Sequence, residues 1–285
     1  MIKTDIPSPL INWPELLRLS RFNMLSERKS EKGNIWEKAA VMYNKMAAME
    51  REYTFAQLDA FDTSPEDTVL DVGCGPGRIS VLMAQRAKSV TAIDSSEKML
   101  NFCRENAEKA GVRNLTARLL DWNNAVLGEN LERHDIVIAS RSEGMRDIEK
   151  LTSFARKYAV MIAWANAPCI PDILGDLFYG TSAWEKKRSP MQRDRRLGYN
   201  VFYNMVYDLG YDPNIKIVTD GFTKDYADYE EAYADLCTLG EIRDGEMEIF
   251  RNNCNKWLSK NDKGGITFRR ETKTFVLWWS PEKRF

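Results

Sequence analysis

Val69-Leu70-Asp71-Val72-Gly73-Cys74-Gly75-Pro76-Gly77 decides how the rest of the chain is read. A short β-rich run, Thr68 to Val72, meets three glycines and a proline, and Arg78 to Ala87 then reads as a helix. Glycine permits a sharp strand-to-helix reversal and lets a ligand approach the backbone with no Cβ in the way. The helix that follows opens with unpaired N–H groups. In a G-x-G-x-x-G arrangement those groups hold a pyrophosphate. Here the third glycine comes one residue early, Pro76 lies inside the loop, and Asp71 opposes a phosphate. The loop suits a cationic ligand that carries no phosphate.

Working outward, strands and helices alternate. Ser89 to Asp94 is a second strand, and the next helix carries Met99, Cys103, Ala107 and Ala110 on one face before Gly111 stops it. Leu115, Ala117 and Leu119 alternate on a third strand. Asp135 to Ser140 is a fourth, apolar enough for burial on both faces, Arg146 to Arg156 a helix, and Tyr158 to Trp164 a fifth strand. Such alternation implies βαβ units and a parallel sheet. The expected class is α/β, a Rossmann-like doubly wound and mostly parallel sheet. Upstream, Trp36, Ala39, Ala40, Tyr43, Met46 and Ala47 recur at helical steps, so residues 1–62 read as a helical cap on an α/β domain at 63–285. Beyond 165 the rhythm loosens into an irregular stretch to about 192. A helix near 193–209, a strand at Ile215 to Val218, helices near 228–239 and 245–259, and a strand or hairpin from Ile266 to Ser280 follow. Residues 228–259 form a helical insertion before the last strand. Cap and insertion are expected near the carboxyl ends of the strands, where open α/β sheets bind ligands.

Composition narrows the chemistry. The chain has 285 residues, 44% hydrophobic and 29% charged, with a formal net charge of −1. These values exclude collagen-like, disordered and disulfide-scaffold classes, and near-neutrality gives no long-range pull on nucleic acid. Cys74, Cys103, Cys169, Cys237 and Cys254 form no CxxC pair, and His134 is the sole histidine, expected at the surface or in a turn. No metal site is expected. Met1 to Pro7 lacks a basic-then-apolar leader, and no apolar run reaches the ~18 residues of a membrane span, so a cytoplasmic protein without a membrane partner is expected.

The loop and its neighbours resemble the class I S-adenosylmethionine-dependent methyltransferases, in their small-molecule branch, over about residues 34–165. The resemblance implies S-adenosylmethionine as cofactor, bound by Asp71, Gly73, Cys74, Gly75 and Gly77. It gives Asp94 the ribose hydroxyls, with Ser95 beside it, and packs Met99 on adenine. Asp121 accepts the adenine amino hydrogen, Trp122 borders the ring, and Ser140 and Arg141 face the methionine part. Trp36 and Tyr43 match a W…Y pattern on a cofactor-capping helix. Each has a plainer reading. Asp94 could cap the next helix, Asp121 could be a turn residue, Trp122 core, and Trp36 and Tyr43 one packed helix face.

Methyl transfer by in-line displacement demands proximity, alignment and desolvation, with a base only where the nucleophile is protonated. Glu143 and Tyr179 are candidate bases and Arg141 a candidate orienter of an anionic group. Phe178, Tyr179 and Trp184 are candidate substrate walls. Ala139-Ser140-Arg141-Ser142-Glu143-Gly144 lacks the N/D-P-P-aromatic pattern of the nucleic-acid amino-methylating branch. The expected acceptor is therefore a small or medium-sized molecule, anionic or aromatic, and not nucleic acid. The basic segment Lys186, Lys187, Arg188, Arg193, Arg195 and Arg196 is either an anion contact or a solvated surface. Two other readings are a non-catalytic S-adenosylmethionine-binding regulatory or assembly protein, and a dinucleotide oxidoreductase. The loop's glycine spacing and Asp71 oppose the latter. The sequence does not fix the oligomeric state.

Overall fold

Alternating apolar residues on β1 (Thr68–Val72) and β4 (His134–Ser140) face two different cores, and that alternation positions everything else. The computed structural model describes residues 11–13, 15–16, 35–182, 184 and 195–283. Helices α1 (Ile35–Met49) and α2 (Arg51–Leu58) precede β1, and α3 (Arg78–Ala84), β2 (Ser89–Asp94), α4 (Glu97–Lys109) and β3 (Leu115–Leu119) follow it. After β4 come α5 (Ile148–Ser153), β5 (Ala155–Trp164), α6 (Ile170–Leu177), α7 (Tyr199–Asp208) and β6 (Asn214–Tyr226). Then α8 (Tyr229–Leu236), α9 (Met247–Cys254), β7 (Leu258–Lys260) and β8 (Ile266–Trp279) complete the described chain.

The strand order is β3-β2-β1-β4-β5-β8-β6, with β7 pairing on β8. Strands β1 to β5 are mutually parallel, with β1 between β2 and β4. β8 enters antiparallel between β5 and β6. The order reverses direction between β1 and β4, which is the switch point where such sheets open a crevice at their carboxyl ends. The sheet is the mixed, mostly parallel one expected.

On one face Val69, Ile136, Ile138, Val160 and Ile162 pack against Ile79, Leu82 and Met83 of α3 and Leu58 of α2. On the other, Leu70, Val72, Val137, Ala139 and Met161 pack against Ile148 and Leu151 of α5 and Val201, Phe202 and Val206 of α7. A further core lies beyond the parallel strands. β5 ends its pairing at Trp164 opposite Thr274, whereas the β6–β8 hairpin runs on to Tyr226 opposite Ile266. Phe222, Tyr226 and Phe268 from that extension meet α6, α8, α9 and Met46 and Met49 of α1.

Several local expectations need correction. Residues 146–156 are not one helix. A 3-10 turn at Glu143–Arg146 and the short α5 precede β5, which already starts at Ala155. The stretch after 165 holds α6, whose start is set by Pro171 in the first turn and by Asp172, whose carboxylate accepts from the Cys169 N–H. The strand at 215–218 is only part of β6, and the expected helix 245–259 ends at Cys254, with Leu258–Lys260 in a strand. His134 is buried rather than superficial. Its ring bridges the Glu132 carbonyl and the Thr91 hydroxyl at the amino end of β4, and burial lowers its pKa. Lys186, Lys187, Arg188 and Arg193 lie outside the described residues.

Candidate functional site

The crevice is walled by the loop after β1 and the turn after β4. Gly73, Gly75 and Gly77 all take positive φ, which side chains rarely adopt. Two are also sterically fixed, since a Cβ on Gly73 would lie 2.5 Å from Cβ of Ser142 and one on Gly77 2.7 Å from Sγ of Cys103. At Gly75 a Cβ would meet nothing within 4 Å. Gly75 therefore presents bare backbone to open space.

The loop N–H groups are already engaged. Gly73 and Cys74 donate to the Ile93 carbonyl, Gly77 to that of Cys74, and Gly75 to Oδ2 of Asp94 at 2.9 Å. Pro76 has no N–H to offer. At the start of α3 the anion position is filled by Asp71, whose Oδ2 accepts from the Ser80 hydroxyl. A pyrophosphate would find the loop's N–H groups engaged and a carboxylate at the helix start.

Asp71 is buried, and its Oδ1 has no hydrogen-bond partner. Burial pushes its carboxyl up to about 6, against the downward pull of Ser80 and Arg78. A buried unpartnered carboxylate oxygen is costly unless a donor or cation arrives. Asp94 ends β2 and also accepts from the Ser96 N–H at 2.9 Å, while burial raises its pKa. Phosphate-free acidic surroundings, an orphaned Asp71 oxygen and an open Gly75 fit a cationic nucleoside such as S-adenosylmethionine.

Ser95 is exposed directly after β2, and Met99 is buried in the first turn of α4, whose N-terminus is capped by Ser96. Asp121 accepts from the Asn123 N–H, closing its turn, and stands at the end of the same ridge. Trp122 turns the other way. It packs on Phe154 at a centroid distance of 5.1 Å under the Lys150 ammonium, inside the core, so it does not border a ligand ring. Cys74 is buried against Cys103, and their thiol contact and burial push its pKa well above the ordinary thiol range. It is an inert packing residue.

α1 crosses the carboxyl ends. Its Glu37 accepts from the Ser96 hydroxyl at 2.6 Å, Asn44 accepts from Asn106, and Lys45 reaches Asp235 and Thr238 of the insertion. Trp36 and Tyr43 meet edge to face at 5.3 Å on this helix. Burial pushes the Tyr43 phenol up to about 12.

Arg141 does not present a free guanidinium. It bonds Glu50 at 2.6 Å and Asp220 at 2.7 Å and stacks on Trp164 at 3.9 Å, with a positive φ of 54°. The expected orienter of an anion is thus held by two carboxylates of the protein. Ser140 accepts from Arg78 at 2.7 Å. Glu143 pairs with Arg146 at 3.5 Å. Tyr179 is 59% exposed beside α9, where its carbonyl accepts from Asn253, and Phe178 is core against Phe250, not a substrate wall. Arg78, Glu50, Asp220 and Glu37 escaped the sequence reading. Glu50 carried a signal, standing four residues after Met46 and seven after Tyr43 on the apolar face of a helix. Asp220 alternates with Val218 and Phe222 on the inward face of β6.

Residues 63–163 match a family model described as a methyltransferase domain. An uncharacterized protein of Haemophilus influenzae is 25% identical over 258 residues, 87% of this chain and 89% of that one. A "Probable cobalt-precorrin-6B C(15)-methyltransferase (decarboxylating)" of Methanococcus maripaludis is 34% identical over 93 residues, 29% of this chain and 51% of the relative. A 23S rRNA (uracil(1939)-C(5))-methyltransferase of Alcanivorax borkumensis is 34% identical over 83 residues, 29% of this chain and 19% of the relative. The chain thus spans about half of the Methanococcus maripaludis relative and about a fifth of the Alcanivorax borkumensis one.

Proposed function

We propose, from the match of residues 63–163 to a methyltransferase-domain model and from the site around Asp71, Gly75 and Asp94, that this S-adenosylmethionine-dependent enzyme methylates a small or medium-sized molecule by in-line displacement. S-adenosylmethionine supplies a methyl group already activated on a sulfonium. The chain's own work is to hold, align and desolvate. Asp94 would accept the ribose hydroxyls with the lone pairs left by Gly75 and Ser96. Asp71 would take the donor's ammonium on its unpartnered oxygen. Gly75 would give the ligand its close approach, Met99 and Asp121 would border the adenine, and Trp36 and Tyr43 would close the cap.

The observation that favours a small acceptor is α1 itself. It bridges from Ser96, the N-cap of α4, to the insertion, and Glu50, directly after it, contacts Arg141 beyond β4. A polymer needs an open face there, whereas an enclosed acceptor needs a cover. A cell metabolite extract and total RNA, each incubated with enzyme and methyl-labelled S-adenosylmethionine, test this. Label should enter the small-molecule fraction. Label in RNA alone would overturn the acceptor class, and failure of the enzyme to bind S-adenosylhomocysteine would overturn the placement of the donor.

A further inference from the structure

Glu50 lies where α1 meets α2 and is 2% exposed. Its two oxygens meet two arginines from opposite walls of the crevice. Oε1 accepts from Arg141 Nη1 at 2.6 Å, and Oε2 lies 3.6 Å from Arg78 Nε. Arg78 directly follows Gly77 and also donates to Thr54, Gln57 and Ser140. Arg141 also bonds Asp220, itself fully buried, and Thr274. Arg141 holds a left-handed backbone, a conformation that residues with a side chain rarely adopt.

Buried charges persist when they are paired. In this cluster Asp71, Glu50 and Asp220 stand against Arg78 and Arg141, which leaves one negative charge over. The oxygen without a partner is Oδ1 of Asp71, and Arg78 is within electrostatic reach of it. If Glu50 were neutral, Arg78 would keep Asp220 and Asp71 as its acidic neighbours, and of these only Asp71 lacks a partner on one oxygen. We propose that Glu50 is the positioning residue of the donor site. It holds Arg78 away from Asp71, so that this carboxylate stays available to the ammonium of the methyl donor, and its contacts with Arg78 and Arg141 tie the cap to the glycine-rich loop and to the turn after β4. The inference rests on the methyl-transfer reading and adds to it the residue that sets the charge at the amino-acid end of the donor.

The test compares two ligands in the full chain by calorimetry. S-adenosylhomocysteine carries the ammonium, and 5′-methylthioadenosine lacks it. Glu50→Gln should weaken S-adenosylhomocysteine about tenfold, the scale of one charged hydrogen bond, and leave 5′-methylthioadenosine within about twofold. Glu50→Asp should keep the wild-type ratio of the two affinities. Glu50→Gln combined with Arg78→Gln removes the stranded cation and should restore that ratio. Equal weakening of both ligands, or no weakening of either, overturns the proposal. Should Glu50→Gln fail to fold, the double variant decides, because a ratio about tenfold below wild type in it contradicts the charge account. Wild-type protein that binds neither ligand would instead remove the methyl-transfer reading.

Discussion

Residues 68–164 and residues 166–279 build their cores by opposite means. In the first region each strand pairs with a parallel neighbour reached through one helix, and both sheet faces are covered in sequence order. In the second, the β6–β8 hairpin joins Asn214 to Trp278 and Tyr226 to Ile266, and the helices between those strands pack back on the hairpin's extension. The first region carries the glycine-rich loop and the acids Asp71 and Asp94. Among the described residues the second contributes Asp220 and Thr274 as partners of Arg141. The glycine-rich loop and its acids sit on the region whose contacts are short in sequence, and the region of long contacts anchors Arg141.

That contrast can be broken at either end. Gly75→Val should have the largest effect. With nothing within 4 Å of its Cβ the protein has room for the side chain, at a strain of about 1–2 kcal/mol, while S-adenosylhomocysteine binding should vanish in calorimetry. Normal binding would show that the loop is not the site. Phe250→Ala tests the other region. Phe250 is fully buried against Phe178, so urea unfolding should lose about 3–5 kcal/mol, or show the second core melting separately. A loss below about 1 kcal/mol would mean that this core does not bear on global stability.

Asp94→Ala should weaken S-adenosylhomocysteine by one to two orders of magnitude, from about 1.5–3 kcal/mol per charged hydrogen bond. It also removes the acceptor of the Gly75 N–H, so circular dichroism should accompany the titration. Unchanged affinity would unseat the ribose assignment. The smallest effect is the pH dependence of Asp71. Its folded pKa of about 6 lies above the ordinary 3.8, so the folded state holds the proton more tightly than the unfolded chain. Through this group, stability should fall as pH rises from about 4 to about 6. Binding of a cationic ligand, which needs the carboxylate, should strengthen over the upper part of the same window. Asp71→Asn should flatten both slopes, and a ligand affinity that weakens from pH 5 to 7 would contradict the role.

The first region was legible because its signals are local. Glycines at a strand end, an acid at the end of the next strand and helices of ten or so residues each constrain a few neighbouring φ and ψ angles. The same locality misled at Trp122, where an aromatic beside Asp121 has two faces to choose from and the core with Phe154 won. It misled at Arg141 too. An arginine closing a strand looks available to a ligand, and nothing nearby in sequence announces Glu50 or Asp220 as its partners. In the second region β6 showed only Ile215 to Val218 as strand, because the rest of β6 is stabilised by pairing with β8 and not by its own residues.

The sequence by itself determined the parallel sheet, the glycine-rich turn, the acids near the ends of β1 and β2, and a loop whose glycine spacing and acid oppose a phosphate. These depend on backbone preference and on side-chain charge within a few residues. Tertiary structure alone decided that Glu50 joins Arg78 to Arg141. It alone left Asp71 with an unpartnered oxygen. Buried charges choose partners by proximity in space, and in a chain with a net charge of −1 no excess of either sign points to which acid will meet which base.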